Sequence, residues 1–527
     1  MDINFHSQHL FIFPFSWQIN SNNDNRFNLE QISEFIQEKN IWEQFQFKNK
    51  VDDNINTYNI YSYFYEYARD VLNLNNDPNN DINARQYQCK FNYSDPTYEI
   101  DIIGEETIKL KIQDIMLGFY ENGVGIMAFH LLNYQTKDFK LILKINEYGR
   151  RIYPQYLGVE QNEYTKPIKE YGFLADKITL KNIFPGDVEE GFKSFDTNLD
   201  AAIQPKHIFG LLGSHFGGNT SDYNKCVVKP ILDDRMFVIS HILDNELAKE
   251  FTCYCAAEST YALFCNKETI NKWYRYIFID DSKPGCSNFI MRKEMVDKHT
   301  YKRWINHEDP EGSQIYGLSR YSFVMLSGQE YFPKNIVSTH MANQYFDLVL
   351  LCLLQRAYLL LYSKEVARIS KSINASSKFS QKNDISTLYL NYIKFKNRIY
   401  FREVTAQEQG IELYDMLQEK MRIQLDVDSL GKEIEELNEY METQEQSNLS
   451  KVANDFLPLT LIASLIGMNT CNPTHTPNEL TSIPNNDNWW NTFSIFDWVT
   501  YSGSIILVLY SIVKIYKQFQ KNKIWNR

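Results

Sequence analysis

The spacing of apolar and polar positions changes along the chain, and the change divides it. Leu10-Phe11-Ile12-Phe13-Pro14-Phe15 is a short apolar run and predicts a strand. Asn73 to Asn83 is rich in Asn, Asp and Pro and predicts a loop. Between Gln86 and Asn133 several strand-like runs follow one another, with Asn122-Gly123 as a hairpin signal between two of them. Ile231 to Leu243 predicts a further strand, so residues 1–335 are expected to form a mixed α/β domain.

From about Met341 the period becomes helical. Its clearest stretch is Leu413, Met416, Lys420, Ile423, Val427, Leu430, Ile434, Leu437 and Met441, in which only Lys420 breaks the apolar rule. Alternating steps of three and four residues describe a coiled-coil seam. Gly431 weakens such a helix by about 1 kcal/mol without ending it. A helix continuous from Asp384 to Asn469 would measure about 130 Å at ~1.5 Å per residue. Several identical chains around one axis are the simplest cover for it.

Two apolar segments close the chain. The first contains Phe456 to Ile466 and the second runs from Ser494 to Tyr516. Roughly 20 residues cross a bilayer core, which suits the second directly and the first if upstream residues take part. Thr470 to Thr492 contains no Lys or Arg, whereas Lys514 stands at the end of the second segment and Lys517, Lys521, Lys523 and Arg527 follow it. The positive-inside rule then puts the tail in the cytoplasm and the short loop outside, with Trp489, Trp490 and Trp498 at the outer interface. Two spans return the N-terminal part to the cytoplasm. Leu348 to Tyr362 is equally apolar but carries Gln355-Arg356 at its centre, and predicts a buried helix of a soluble assembly. Met1 to Trp17 has neither a basic n-region nor a cleavage pattern, so no secretory signal is expected.

Composition narrows the function. The net charge of -12 argues against nucleic-acid binding through a basic surface. The eight cysteines are scattered, and Cys253-x-Cys255 lacks a partner pair at zinc spacing. Reduced thiols in a cytoplasmic bulk are expected. With 35 Tyr and 34 Phe, core material is ample.

Near the membrane the seam turns polar at Gln444 and Asn448, which suits water or ions along an axis. Within the first span Thr460, Ser464 and Gly467 share one face, and Leu459, Ile462 and Ile466 share another. That division suits a pore-lining helix, and small-residue helix packing is the other reading. Between Glu419 and Glu445 nine acids face three bases. Repeated around an oligomer, they would concentrate cations at a pore entrance; a solvated helix face accounts for them equally.

The motif Phe456-x-Pro458-Leu459-Thr460-x-Ile462-Ala463-x-x-x-Gly467-Met468-Asn469, followed by a second span and a basic tail, resembles the CorA family of divalent-cation channels. Asn478-Glu479-Leu480 resembles the acidic turn of that family's outer loop; the longer loop and Asp455 are departures. The resemblance implies a CorA-like pentameric funnel: an α+β cytoplasmic domain, long stalk helices and two C-terminal transmembrane helices. It implies domains at 1–335 (sensor), 336–452 (stalk), 453–469 (first span), 470–493 (outer loop), 494–516 (second span) and 517–527 (tail). Both termini would lie on the inner side of the cell membrane. Gly467, Met468 and Asn469 would form the outer mouth, with Asn469 facing a hydrated cation, Mg²⁺ or another. Leu449, Leu457, Thr460 and Ser464 would line the pore below it.

The large N-terminal part is similar to the CorA-type membrane proteins of type III CRISPR systems. The residues that carry this are Phe5-His6, Leu10 to Phe15 with Trp17, Gly149-Arg150-Arg151, Leu232 to Val238, Tyr301-x-Arg303-Trp304, Tyr316-Gly317, Arg320-Tyr321-Ser322, Phe401 to Val404 and Gln409 to Leu413. The resemblance implies a non-enzymatic antiviral effector, gated by a nucleotide messenger: a cyclic oligoadenylate or an S-adenosylmethionine–AMP conjugate. No covalent cofactor and no direct nucleic-acid binding are expected.

A messenger with phosphates and adenines wants Arg forks and aromatic faces. Arg150 and Arg151 beside Tyr148 and Tyr153, Asp233, Asp234 and Arg235, and Arg303, Trp304 and Arg320 are the candidates; internal salt bridging is the competing role for each group. Phe209 to Asp222 is Gly-rich but lacks a P-loop ending and predicts a flexible loop. A conventional Mg²⁺ transporter with an enlarged sensor domain, and a membrane-tethered nucleotide-degrading enzyme, are the alternatives. His6, His9, His207 and His215 are too scattered to support the latter.

Overall fold

A computed structural model of the chain describes residues 4–20, 27–45, 47, 55–74, 84–91, 93–102, 104–153, 175–183, 186–192, 204–219, 225–232, 234–256, 267–372, 378–470, 502–503 and 510. The chain divides into two compact units, Met1–Lys364 with Asn391–Leu430, and Glu365–Leu390 with Gly431–Arg527. The first unit therefore reaches well past residue 335 and takes in much of the helical region expected to form the stalk. The described part is mixed α and β: a sheet in the N-terminal part and long helices toward the C-terminus.

The strands of the sheet are β1 (Ser7–Ile19), β2 (Trp42–Gln44), β3 (Ala84–Cys89), β4 (Thr97–Asp101), β5 (Ile108–Tyr120), β6 (Val124–Asn133) and β7 (Lys177–Lys181). They continue as β8 (Val188–Gly191), β9 (Phe216–Gly217), β10 (Cys226–Pro230), β11 (Phe237–Leu243), β12 (Thr300–Tyr301), β13 (Gln314–Leu318) and β14 (Ser322–Ser327). The main path is β12-β13-β14-β11-β1-β6-β5-β4-β7-β8. Neighbours along it are antiparallel, except that β11 and β14 run parallel.

The helices are α1 (Leu29–Gln37), α2 (Ile55–Tyr63), α3 (Glu66–Val71), α4 (Phe139–Gly149), α5 (Lys206–Phe209), α6 (Asn245–Ala256), α7 (Lys267–Phe278) and α8 (Phe289–His299). The C-terminal helices are α9 (Ser338–Ala342), α10 (Gln344–Ser372), α11 (Lys378–Arg398), α12 (Glu408–Met421) and α13 (Ile423–Thr470).

The central strand β1 is covered on both faces, which is why its sequence shows an apolar run rather than alternation. Phe11, Phe13, Phe15 and Trp17 join one core with Ile142 and Ile145 of α4 and Trp273 and Tyr276 of α7. The opposite face of the sheet meets α10: the His130 ring lies 4.8 Å from Phe346, and Tyr316 and Phe323 each lie 6.1 Å from Tyr345. The hairpin at Asn122-Gly123 forms as expected, with φ of +61° and +89°. A Cβ on Gly123 would lie 2.8 Å from the Trp17 carbonyl oxygen, so this turn needs glycine for space as well as for its backbone.

Among the described residues one helical stretch, Phe332–Lys371, is long and apolar enough to cross a membrane, and most of it is buried inside the protein. It contains the run Leu348 to Tyr362. Its central polar residues find partners within the first unit: Gln355 Nε2 donates to the Ile399 carbonyl (2.9 Å) and to Tyr414 Oη (2.8 Å), and Arg356 Nη1 donates to the Arg320 carbonyl (2.7 Å). Those bonds offset the desolvation of the Gln355 amide, and the Arg320 carbonyl satisfies one edge of the Arg356 guanidinium.

Three expectations change. The strand foreseen over Ile231 to Leu243 starts only at Phe237, because the backbone at Arg235 pairs instead with Arg151, just past the end of α4. The Gly-rich stretch is anchored as far as it is described: Leu211 and Leu212 are fully buried, and Trp42 Nε1 donates to the Leu211 carbonyl (2.9 Å). The helix from Asp384 to Asn469 is not continuous. It stops after Arg398 and again at Arg422, whose φ of +61° is left-handed and whose N–H closes back on Gln418 and Glu419 carbonyls.

The seam survives this break, but its covering partner differs from the one expected. Leu413, Ile423, Val427, Leu430 and Ile434 are buried within a single chain, and Tyr392 Oη of α11 donates to the Val427 carbonyl (2.7 Å). Other copies are not needed to cover that part. Farther along α13 the situation reverses: Leu449 is 69% exposed and Leu457 58%. In the second unit, Ile369, Ile385, Leu388 and Ile434 are buried, and Arg368 bridges Glu365 (2.6 Å) and Asp384 (3.0 Å).

Candidate functional site

The last turn of α4 carries Glu147, and Arg150 and Arg151 follow it at spacings of three and four. That spacing puts all three on one side of the helix end, and cations there also meet the negative pole of the helix. The segment before β11 closes on this turn through its backbone. Ile152 N–H donates to the Asp234 carbonyl (3.0 Å) and Met236 N–H to the Arg150 carbonyl (2.8 Å), forming an antiparallel bridge between Arg151 and Arg235. Two motifs more than eighty residues apart in sequence thus become one charged cluster.

Within it, Arg150 Nη2 reaches Glu147 Oε2 at 2.8 Å and Arg151 Nη2 reaches Glu147 Oε1 at 2.6 Å. Arg151 also pairs with Asp234, whose other oxygen accepts from Arg235 Nε at 2.8 Å. Arg150 further donates to the carbonyl of Ile279 (3.3 Å), a β-branched residue at a φ of +55°. Glu147, Arg150, Arg151 and Asp234 are all buried. Burial lowers the Arg150 pKa, with Glu147 opposing and Arg151 adding repulsion. Burial likewise raises the carboxyls of Asp280 and Asp281, which follow Ile279. Arg150 and Arg151 are therefore committed to carboxylates in the interior, and Arg235 is the member with an open edge, its side chain 27% exposed. Asp233 lies outside the described residues.

The second group of candidates splits. Arg303 pairs with Glu412 of α12, stacks 5.6 Å from the Trp304 ring and is well exposed, as is Trp304. Arg320 belongs instead to the first cluster: it sits in the β13–β14 turn, and its neighbour Tyr321 has the Arg235 guanidinium carbon 5.4 Å and that of Arg356 4.7 Å from its ring centroid. Sequence reasoning missed Glu147, Tyr321 and Arg356 as members of this site. The spacing of Glu147 to the two arginines was a readable signal, and so was an Arg in the middle of an apolar helix.

A separate polar cluster lies under β1. His9 is flanked by Ser7 Oγ (2.8 Å) and Asn146 Oδ1 (2.7 Å), and Tyr276 Oη donates to Ser240 Oγ (3.0 Å) beside them. Burial pulls the His9 pKa down to about 4, against the hydrogen bond that Asn146 Oδ1 accepts from the ring. Ser7, His9, Asn146 and Ser240 have no exposed surface, so this hydroxyl–imidazole–amide array is a satisfied core network closed to substrates.

At the other end of the chain, α13 runs 48 residues to Thr470, with Gly467, Met468 and Asn469 in its last turn. The Thr460 hydroxyl donates to the Leu457 carbonyl (2.9 Å) and that of Ser464 to the Thr460 carbonyl. Both hydroxyls are exposed and satisfied by their own helix. The outer loop past Thr470, the tail and all of the second span except Ser502, Gly503 and Tyr510 lie outside the described residues. No group of three or more metal-ligating side chains occurs among the described residues. No protein-family model matches the chain, and no curated protein matches it.

Proposed function

We propose that the chain is a CorA-like membrane channel that acts as an antiviral effector and is gated by a nucleotide messenger held by its N-terminal α/β unit. The observation that carries this reading is α13. One helix of about 72 Å, at ~1.5 Å per residue, joins an acidic stretch to the Gly467-Met468-Asn469 corner. Glu433, Glu435, Glu436, Glu439 and Glu442 are exposed along it, and Thr460 and Ser464 offer hydroxyl oxygens farther on. In a pentamer these rings attract cations, and the Asn469 ring meets the ion with its water shell intact. The exposure of Leu449 and Leu457 in a single chain supports a partner of the same sequence. Two spans, an outer loop free of Lys and Arg, and both termini in the cytoplasm complete the reading.

The test is ion flux from liposomes containing the full chain, with and without a cyclic oligoadenylate or an S-adenosylmethionine–AMP conjugate. Flux that appears only with one messenger, and falls in Asn469→Ala, supports the proposal. Mg²⁺ flux indifferent to every messenger would leave a conventional transporter, and consumption of the messenger would leave an enzyme.

A further inference from the structure

We propose that Arg235, Arg320 and Arg356, gathered around Tyr321, bind the phosphate groups of a nucleotide. Arg356 is 95% buried, at 5% relative exposure, yet its Nε has no hydrogen-bond partner. Arg320 Nε is buried and without a partner as well. Neither arginine has a carboxylate at ion-pair distance among the described residues. Arg356 has instead the carbonyl of Arg320 (2.7 Å) and the Tyr321 ring, neither of which neutralises it. Asp426 acts on it electrostatically without forming an ion pair. Arg235 differs in having Asp234 on its Nε and in being partly exposed.

Unneutralised guanidiniums crowded together repel, and burial adds a desolvation cost for each. An oxyanion relieves both, and phosphate suits guanidinium geometry because its oxygens accept paired N–H bonds. Tyr321 is already flanked by two cations, so its ring is not offered as a platform for a base. The site is thus one for phosphate, and any base must be held elsewhere. Arg151 acts one layer behind, holding Asp234 and through it Arg235, while Arg150 is held on Glu147. The choice of a nucleotide as the bearer of the phosphate rests on the messenger reading above; the anion chemistry does not.

The experiment is calorimetric titration of the full chain in detergent with inorganic pyrophosphate and then with AMP. Saturable binding is expected for both, weakened at least about tenfold in Arg320→Gln and in Arg235→Gln, as suits loss of a charged hydrogen bond. Lys109→Gln, an exposed lysine elsewhere on the unit, should bind as the parent does. Absence of pyrophosphate binding, undiminished binding in Arg320→Gln, or an equal loss in Lys109→Gln would overturn the site. Arg356→Gln is the strongest variant but risks the core, and the other two decide if it fails to fold. Ion flux from the same preparation separates the two proposals. Arginine-dependent binding without flux removes the channel and keeps the site. Messenger-dependent flux that persists in Arg320→Gln removes the site and keeps the channel.

Discussion

Glu147 shows how much one side chain can organise. Its two oxygens hold Arg150 and Arg151, and Arg151 in turn holds Asp234. Replacing it leaves two buried guanidiniums with one carboxylate between them and Arg235. Loss of one partner of a buried ion pair costs roughly 3–5 kcal/mol, because the remaining charge is stranded in low dielectric. Glu147→Gln should therefore lower the unfolding free energy measured by urea denaturation by an amount of that order. Arg303→Ala breaks an exposed pair with Glu412 and should scarcely move it. An equal effect of the two substitutions would mean that the buried cluster is not a structural keystone. The residue types here were legible in the sequence, since Arg150, Arg151, Asp234 and Arg235 all stand out as charges beside aromatic or apolar neighbours. Their role was not. Whether an arginine meets ligand or carboxylate depends on which distant segment closes on it, and here the segment before β11 closes on the end of α4.

At the scale of elements, periodicity reported faithfully which faces are covered but not what covers them. Between Leu413 and Ile434 the seam is buried except at the half-buried Met416 and Lys420, yet two helices carry it, separated by Arg422. Nothing about Arg422 marks a helix end in sequence, since arginine is a good helix former. The left-handed conformation costs a residue with a Cβ roughly 1–2 kcal/mol, and here the surrounding packing bears that cost. Glycine suits such a C-terminal position. Arg422→Gly is thus expected to raise stability by about 0.5–1 kcal/mol in urea unfolding. A marked destabilisation would show that the Arg422 side chain, rather than its backbone, secures the junction. The run Leu348 to Tyr362 carries the same lesson in reverse: its Gln355-Arg356 pair marked it as interior rather than membrane-facing, and α10 does cover one face of the sheet.

At the scale of the whole molecule, the proposed pentamer has to cover what the single chain leaves bare. Leu449 and Leu457 lie on α13 beyond the last buried seam position, Ile434. If identical helices converge there, Leu449→Cys should form disulfide-linked dimers under mild oxidation in membranes, visible on non-reducing gels. Leu425→Cys, exposed at the opposite end of the same helix, is the comparison. Cross-linking that is equal at both positions, or absent at Leu449, would count against a stalk that narrows toward the membrane.

The sequence by itself determined the order of regions: strands first, then helices, then an apolar end with its charge asymmetry. These follow from local spacing and composition, which any short window contains. It also determined the apolar core of β1 and the hairpin at Asn122-Gly123, because a continuous apolar run and a positive φ are local features. Only the tertiary structure decided that the charged motifs at residues 147–151, 234–235, 320–321 and 356 meet, that the seam folds against its own chain, and that the helix breaks at Arg422. Burial, desolvation and closure of distant segments are properties of the packed chain, and no window of sequence contains them.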